Sequence, residues 1–125
     1  MYEVTVESHF SSGHYLRDYH GKCENPHGHN YRVLVTLAGE ELEPNGLLLD
    51  FKILKDILKP VVNYLDHQMI NDLEPFTRVN PSAENLAKYF FDETNTRLSD
   101  VTKGRVRVKS STIFETNTSQ ATYSE

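Results

Sequence analysis

From Tyr2 to Phe10 the chain alternates, with Tyr2, Val4, Val6 and Phe10 on one side and Glu3, Thr5 and Glu7 on the other. This period of two predicts a half-buried strand. Asn30 to Ala38 alternates in the same way, with Tyr31, Val33, Val35 and Leu37 facing one side. Between the two, Ser11 to Gly28 is rich in Gly, Ser, His, Asn and Pro and reads as a long loop. Loops longer than about 12–15 residues in a compact domain are usually functional. Gly39 to Gly46 has the composition of a turn.

The period then changes. Asp50 is placed as a helix N-cap, and Phe51, Leu54, Ile57, Leu58, Val61, Val62 and Leu65 follow at helical spacing. Pro60 removes one backbone bond inside this helix, so a local bend is expected there. Asn80-Pro81-Ser82 opens a second helix, with Ser82 as cap, Glu84 facing the helix dipole, and a stripe of Ala83, Leu86, Ala87, Phe90 and Phe91. Arg105 to Glu115 alternates again, with Val106, Val108, Ser110 and Thr112 opposite Arg105, Arg107, Lys109 and Ile113. A short strand near Ser119 to Tyr123 ends the pattern. The order β-β-α-α-β-β predicts an α+β fold, with a four-stranded antiparallel sheet carrying two helices on one face.

Composition narrows the class. A chain of 125 residues is one domain, residues 1–125, and 38% hydrophobic with 25% charged residues is a folded composition. The longest apolar run falls well short of the roughly 18 residues of a membrane span. The net charge of −5 argues against nucleic acid or an anionic membrane as partner. Met1 to Thr5 lacks the basic-then-apolar start of a signal peptide, and the single Cys forms no internal disulfide, so a reducing cytoplasm is expected. The row Arg105, Arg107 and Lys109 reads either as a solvated face or as the lining of a wet channel in an oligomer.

The chemistry concentrates in Cys23-Glu24-Asn25-Pro26-His27-Gly28-His29. In extended backbone His27 and His29 point the same way and offer two imidazoles. If the two strands pair, His14 reaches the same point. Three histidines with an open fourth position form a catalytic zinc pattern, although a bare His-Gly-His is also what a pair of surface histidines looks like. Cys23 is then either a fourth ligand or a thiolate beside the cation. Asp66-His67 reads as an oriented proton-transfer pair or as a solvated helix end. Glu115 is either solvated or a carboxylate able to accept two parallel N–H bonds from a flat heterocycle.

Together these segments resemble the 6-pyruvoyl tetrahydropterin synthase and 6-carboxytetrahydropterin synthase family, which has the tunnelling fold. The matching stretches are Phe10-Ser11-Ser12-Gly13-His14, Cys23 to Tyr31, Leu49-Asp50-Phe51, Leu65-Asp66-His67, Asn80 to Ala87 and Glu115-Thr116-Asn117-Thr118-Ser119. They run in the family's order over almost the whole chain. The resemblance implies Zn2+ on His14, His27 and His29, Cys23 as catalytic thiol, Asp66 and His67 as a proton-transfer pair, and Glu115 as the anchor of the pterin ring. It implies a lyase acting on 7,8-dihydroneopterin triphosphate. It also implies a homohexamer of two stacked trimers with active sites between subunits, which would place the basic row in the central tunnel. Arg17, Lys22 and Lys52 are candidates to receive the triphosphate.

Three residues separate Cys23 from His27, where the pyruvoyl-forming enzymes of animals resemble a spacing of five. The short spacing is similar to the 6-carboxytetrahydropterin synthases of queuosine biosynthesis, which also release acetaldehyde. Glu24 adds an alternative, because some family members lack the Cys and use a Glu near this position to form 6-hydroxymethyl-dihydropterin for folate synthesis. A solvated Glu24 is the plain alternative. From another class, a non-catalytic pterin- or metal-binding relative is set against the presence of Cys23, Asp66, His67 and Glu115 together. A purely structural zinc domain is set against the open fourth position.

Overall fold

The computed structural model describes all 125 residues. Its elements are β1 (Tyr2–His14), β2 (His27–Gly39), α1 (Phe51–Leu65), α2 (Ala83–Thr102), β3 (Arg107–Thr116) and β4 (Ser119–Ser124). The strands form one antiparallel sheet in the order β1-β2-β3-β4. Both helices bury their apolar stripes against one side of it, in a single cluster of 25 residues. The α+β expectation and the element order therefore hold.

Alternation sets which residues enter that core. Val6 and Phe10 of β1 and Tyr31, Val33, Val35 and Leu37 of β2 are buried, while Glu3, Thr5 and Glu7 lie on the opposite, polar face. The Asp50 side chain accepts from the Lys52 amide at 2.8 Å and caps α1. Ser82 caps α2 by accepting from the Asn85 amide at 3.1 Å. Helix α1 runs unbroken through Pro60 to Leu65, with Asp66 as its C-cap. Phe51 is exposed, so the apolar stripe of α1 begins in fact at Leu54.

Two expectations need correction. Strand β1 continues to His14 and β2 begins at His27, so both ends of the segment first read as loop are extended backbone. The β1–β2 ladder itself keeps them extended, with Ser11 paired to Asn30 and His14 to His27, without hydrophobic alternation. On β3 the face changes along the strand. Thr36 pairs with Ser110 and Leu37 with Val108, leaving Lys109 as an extra residue. This bulge shifts the parity, so Ser111 and Ile113, not Ser110 and Thr112, join Val106 and Val108 in the core. The basic row is also partly neutralised: Arg105 meets Glu43 at 3.2 Å and Lys109 meets Glu3 at 2.5 Å, while Arg107 is exposed.

The end of β1 is held by the chain that follows α1. The Gly13 amide donates to the Gln68 carbonyl at 2.9 Å, and the His67 amide donates to the Ser11 carbonyl at 2.7 Å. Past His14, two asparagine side chains take the place of a neighbouring strand. Asn71 accepts from the Tyr15 amide and donates to the Tyr15 carbonyl, both at 3.0 Å. Asn80 does the same for Arg17, both at 2.9 Å. Replacing Asn71, which is buried, by Ala leaves two backbone groups unpaired. We expect a loss of about 1–3 kcal/mol, read as a lower urea midpoint at unchanged slope.

Candidate metal centre and active site

The strand register assembles the centre. His14 pairs directly with His27, and Ser12 with His29. His14 continues the inward parity of Val6 and Phe10; His27 and His29 continue that of Tyr31 and Val33. The three imidazoles therefore gather on the helix side of the sheet, at the end where the apolar residues stop. Their ring centroids lie 4.6–5.1 Å apart.

Hydrogen bonds fix two of the rings. His14 Nδ1 lies 2.7 Å from the Pro81 carbonyl oxygen, and His27 Nδ1 lies 2.7 Å from that of Asn25. A carbonyl only accepts, so both Nδ1 atoms carry the proton and each Nε2 keeps its lone pair for the centre. Those two Nε2 atoms face each other at 3.1 Å. Two lone pairs at that distance repel unless a proton or a metal cation sits between them. His29 Nε2 is buried with no hydrogen-bond partner.

Glu115 joins this group. Its Oε1 lies 2.9 Å from His29 Nε2, out of line for a hydrogen bond, and 3.4 Å from His14 Nε2. The four ligand atoms all lie within 4.8 Å of one another. A bulge aims this side chain: Phe114 pairs with Gln120 and Thr116 with Ser119, leaving Glu115 as the extra residue of β3. A proton on His14 Nε2, in place of a metal, holds the Glu115 carboxyl below its ordinary value, against the opposing effect of burial. Burial lowers the His29 pKa, favouring the neutral ligand form. Tyr31 packs against His14 and His29, and burial first, then the Glu115 charge, raises its phenol pKa.

The donor set thus fits a metal such as zinc: three neutral imidazoles and a carboxylate, with ring orientation fixed from behind. Cys23 is not among the four. It sits half-buried in a short 3-10 turn, Lys22–Glu24, tied to the loop by its carbonyl, which accepts from the Leu16 amide at 2.7 Å. The exposed Glu24 carboxylate accepts from the Tyr19 amide at 3.1 Å. Arg17, one of the three candidates to receive the triphosphate, donates through Nη2 to the Phe76 carbonyl at 2.9 Å.

Asp66 and His67 stand apart from the histidine group. Asp66 accepts from the Ser11 amide through Oδ1 at 2.9 Å, and its Oδ2 lies 2.9 Å from His67 Nδ1. His67 is in the left-handed region at φ 57°, with its side chain 81% exposed. Ser11 lies three residues before His14, about 10 Å along the strand. The pair is therefore built and oriented, but faces outward in the single chain. The anchoring of Asp66 on Ser11 and the Asn71 and Asn80 clamps left no local signal in the sequence.

With fold and centre described, the relatives can be stated. A family model for 6-pyruvoyl tetrahydropterin synthase matches residues 3–125. The chain is 33% identical over 127 residues to the 6-carboxy-5,6,7,8-tetrahydropterin synthase of Bacillus subtilis, covering 98% of this chain and 84% of that protein. It superposes on Caenorhabditis elegans 6-pyruvoyl tetrahydropterin synthase with a TM-score of 0.84 at 31% identity, covering 100% and 97% of the two chains. A Plasmodium vivax 6-pyruvoyltetrahydropterin synthase with a catalytic glutamate replaced by cysteine gives 0.77 at 25% identity, covering 99% and 97%. The fold is that of a pterin-synthase domain. The chain belongs to the 6-pyruvoyl tetrahydropterin synthase family.

The Asp66 geometry makes a prediction of its own. The Ser11 amide, then His67, hold its carboxyl below the ordinary value of 3.8. The folded state thus binds this proton less readily than the unfolded chain. The stabilisation is present above the ordinary value and is lost as pH falls through the folded-state value. Carbon-13 NMR titration should place the Asp66 midpoint below 3.8. A midpoint at or above the ordinary value would show that the Ser11 contact does not form.

Proposed function

We infer that this chain is a 6-carboxy-5,6,7,8-tetrahydropterin synthase. It converts 7,8-dihydroneopterin triphosphate to 6-carboxytetrahydropterin, acetaldehyde and triphosphate, in queuosine biosynthesis. What carries the reading is the ready-made three-imidazole group on a chain one-third identical, nearly end to end, to a protein of that name. Residues 1–125 act as one catalytic domain. The lone Cys23 kept as a thiol suits a reducing cytoplasm, and no helix is long and apolar enough to cross a membrane.

His14, His27 and His29 would hold a zinc ion. Bound there, it would supply Lewis acidity toward the hydroxyl-bearing side chain of the substrate. Cys23, as thiolate, takes a proton from that side chain. His67, oriented by Asp66 through Nδ1, relays or returns one from Nε2. Glu115 accepts paired N–H bonds from the pterin ring and sets the reacting carbons at the centre. The outward-facing His67 supports a homohexamer of two stacked trimers, in which Asp66 and His67 serve a neighbour's centre. The polar face bearing Arg107 and Lys109 would line its tunnel.

A second reading rests on Glu24. The Plasmodium vivax relative is described with a catalytic glutamate, and Glu24 adjoins Cys23 here. Such a base would form 6-hydroxymethyl-dihydropterin. In this chain the carboxylate is exposed and already accepts from the Tyr19 amide.

Zinc-loaded protein incubated with 7,8-dihydroneopterin triphosphate should give a 6-carboxy product and acetaldehyde by mass spectrometry, and Cys23→Ala should abolish both. A 6-pyruvoyl product would assign the chain to the other branch of the family. No product from folded, metal-replete protein would leave a binding module. Glu24→Ala should spare the 6-carboxy product and remove any 6-hydroxymethyl product. If a hydroxymethyl product persists in that variant, Glu24 is not its base.

A further inference from the structure

We propose that Glu115 is the fourth metal ligand of the resting enzyme, and that it yields this position to the substrate side chain as its carboxylate moves to the pterin ring. The proposal deepens the reading above and rests on it. It replaces an open coordination position with one that opens when substrate arrives.

The distances support four ligands. For metal–ligand bonds of about 2.0–2.1 Å, a tetrahedral site has ligand-to-ligand edges of about 3.3 Å. The structure shows 3.1 Å between His14 and His27, 3.4 Å between His14 and Glu115, and 2.9 Å between His29 and Glu115. Three of the six edges are therefore already close to that length, and all four atoms lie within 4.8 Å of one another. The carboxylate has no arginine or lysine partner, and its ion-pair contacts are His14 and His29. The bulge at Glu115 points its side chain at the imidazoles instead of along the strand edge.

The two tasks exclude each other. Gripping a flat heterocycle takes both carboxylate oxygens in a fork, whereas Oε1 now lies among the histidines. Binding the ring therefore draws Oε1 away and frees a coordination position as the hydroxylated side chain arrives. By linkage, a ring without that side chain should weaken metal binding, because it removes a ligand and supplies none.

The test uses the Co2+-substituted protein, with visible absorption and chelator competition as readouts. Glu115→Gln and Glu115→Ala should each lower Co2+ affinity by about tenfold or more, at least the cost of losing an outer-shell partner, and should shift the visible bands. Adding 6-methylpterin to the unsubstituted protein should produce a similar shift and a weaker affinity, and should do neither in Glu115→Ala. Far-UV circular dichroism of the metal-free proteins checks that both variants keep the fold. The proposal is overturned if both variants match the parent in Co2+ affinity and spectrum while only KM rises, which would make Glu115 a ring anchor alone. If His14→Ala also leaves Co2+ binding unchanged, the three-histidine reading falls with it; if His14→Ala abolishes binding while the Glu115 variants keep it, that reading stands and only this proposal fails.

Discussion

Thirteen consecutive residue pairs, from Tyr2 with Gly39 to His14 with His27, join β1 to β2. That register places the core and the centre at once. A slip of β2 by one residue against β1 would turn Tyr31, Val33, Val35 and Leu37 to the polar face. Burial of such a side chain stabilises by about 1.5–3 kcal/mol, so the slip would cost on the order of 10 kcal/mol. This is comparable with the whole net stability of an ordinary domain. The apolar residues at one end of the strands therefore hold the histidines in place at the other. His14 and His27 need no local force to bring them together, because they are the last pair of a ladder whose position is set elsewhere.

The ladder ends where the centre begins, and polar groups take over its support. Beyond His14 the backbone of Tyr15 and Arg17 is matched by the amides of Asn71 and Asn80. The Asn80 carbonyl in turn accepts from Asn85, inside the first turn of α2. The carbonyl of Pro81, between the Asn80 clamp and the Ser82 cap, fixes the His14 ring. The start of α2 is thus a bracket for β1 and for a metal ligand, as well as a helix terminus. On the other side, Ser12 donates to the Leu65 carbonyl at the end of α1, and Asp66 holds the Ser11 amide. Both helix ends converge on four residues of one strand.

Much of this was legible in the chain. The period of two and the helical stripes gave the strands, helices and caps, because those patterns follow from burying one face. The histidine spacing gave the ligands, because strand parity alone decides that His27 and His29 share a side. What stayed hidden depends on partners distant in sequence. The strand ends at Ser11–His14 and His27–Asn30 lack apolar alternation and are extended through tertiary bonds. The bulges at Lys109 and Glu115 change parity without a Gly or Pro to announce them. For that reason the β3 faces were read wrongly past Val108, and Glu115 was read as a ring anchor without its place among the imidazoles.

Charge adds a last constraint. The chain carries 13 Lys and Arg against 18 Asp and Glu, yet the substrate we infer is a triphosphate. Six of the cations are already in ion pairs: Arg32, Arg78, Lys88, Arg97, Arg105 and Lys109. Arg17 donates through Nη2 to the Phe76 carbonyl, and its Nη1 is buried without a partner. On the loop that carries Cys23, this leaves Lys22, exposed and next to the thiol in the same 3-10 turn. A flexible ammonium there acts as a point charge on a phosphate without demanding a fixed geometry.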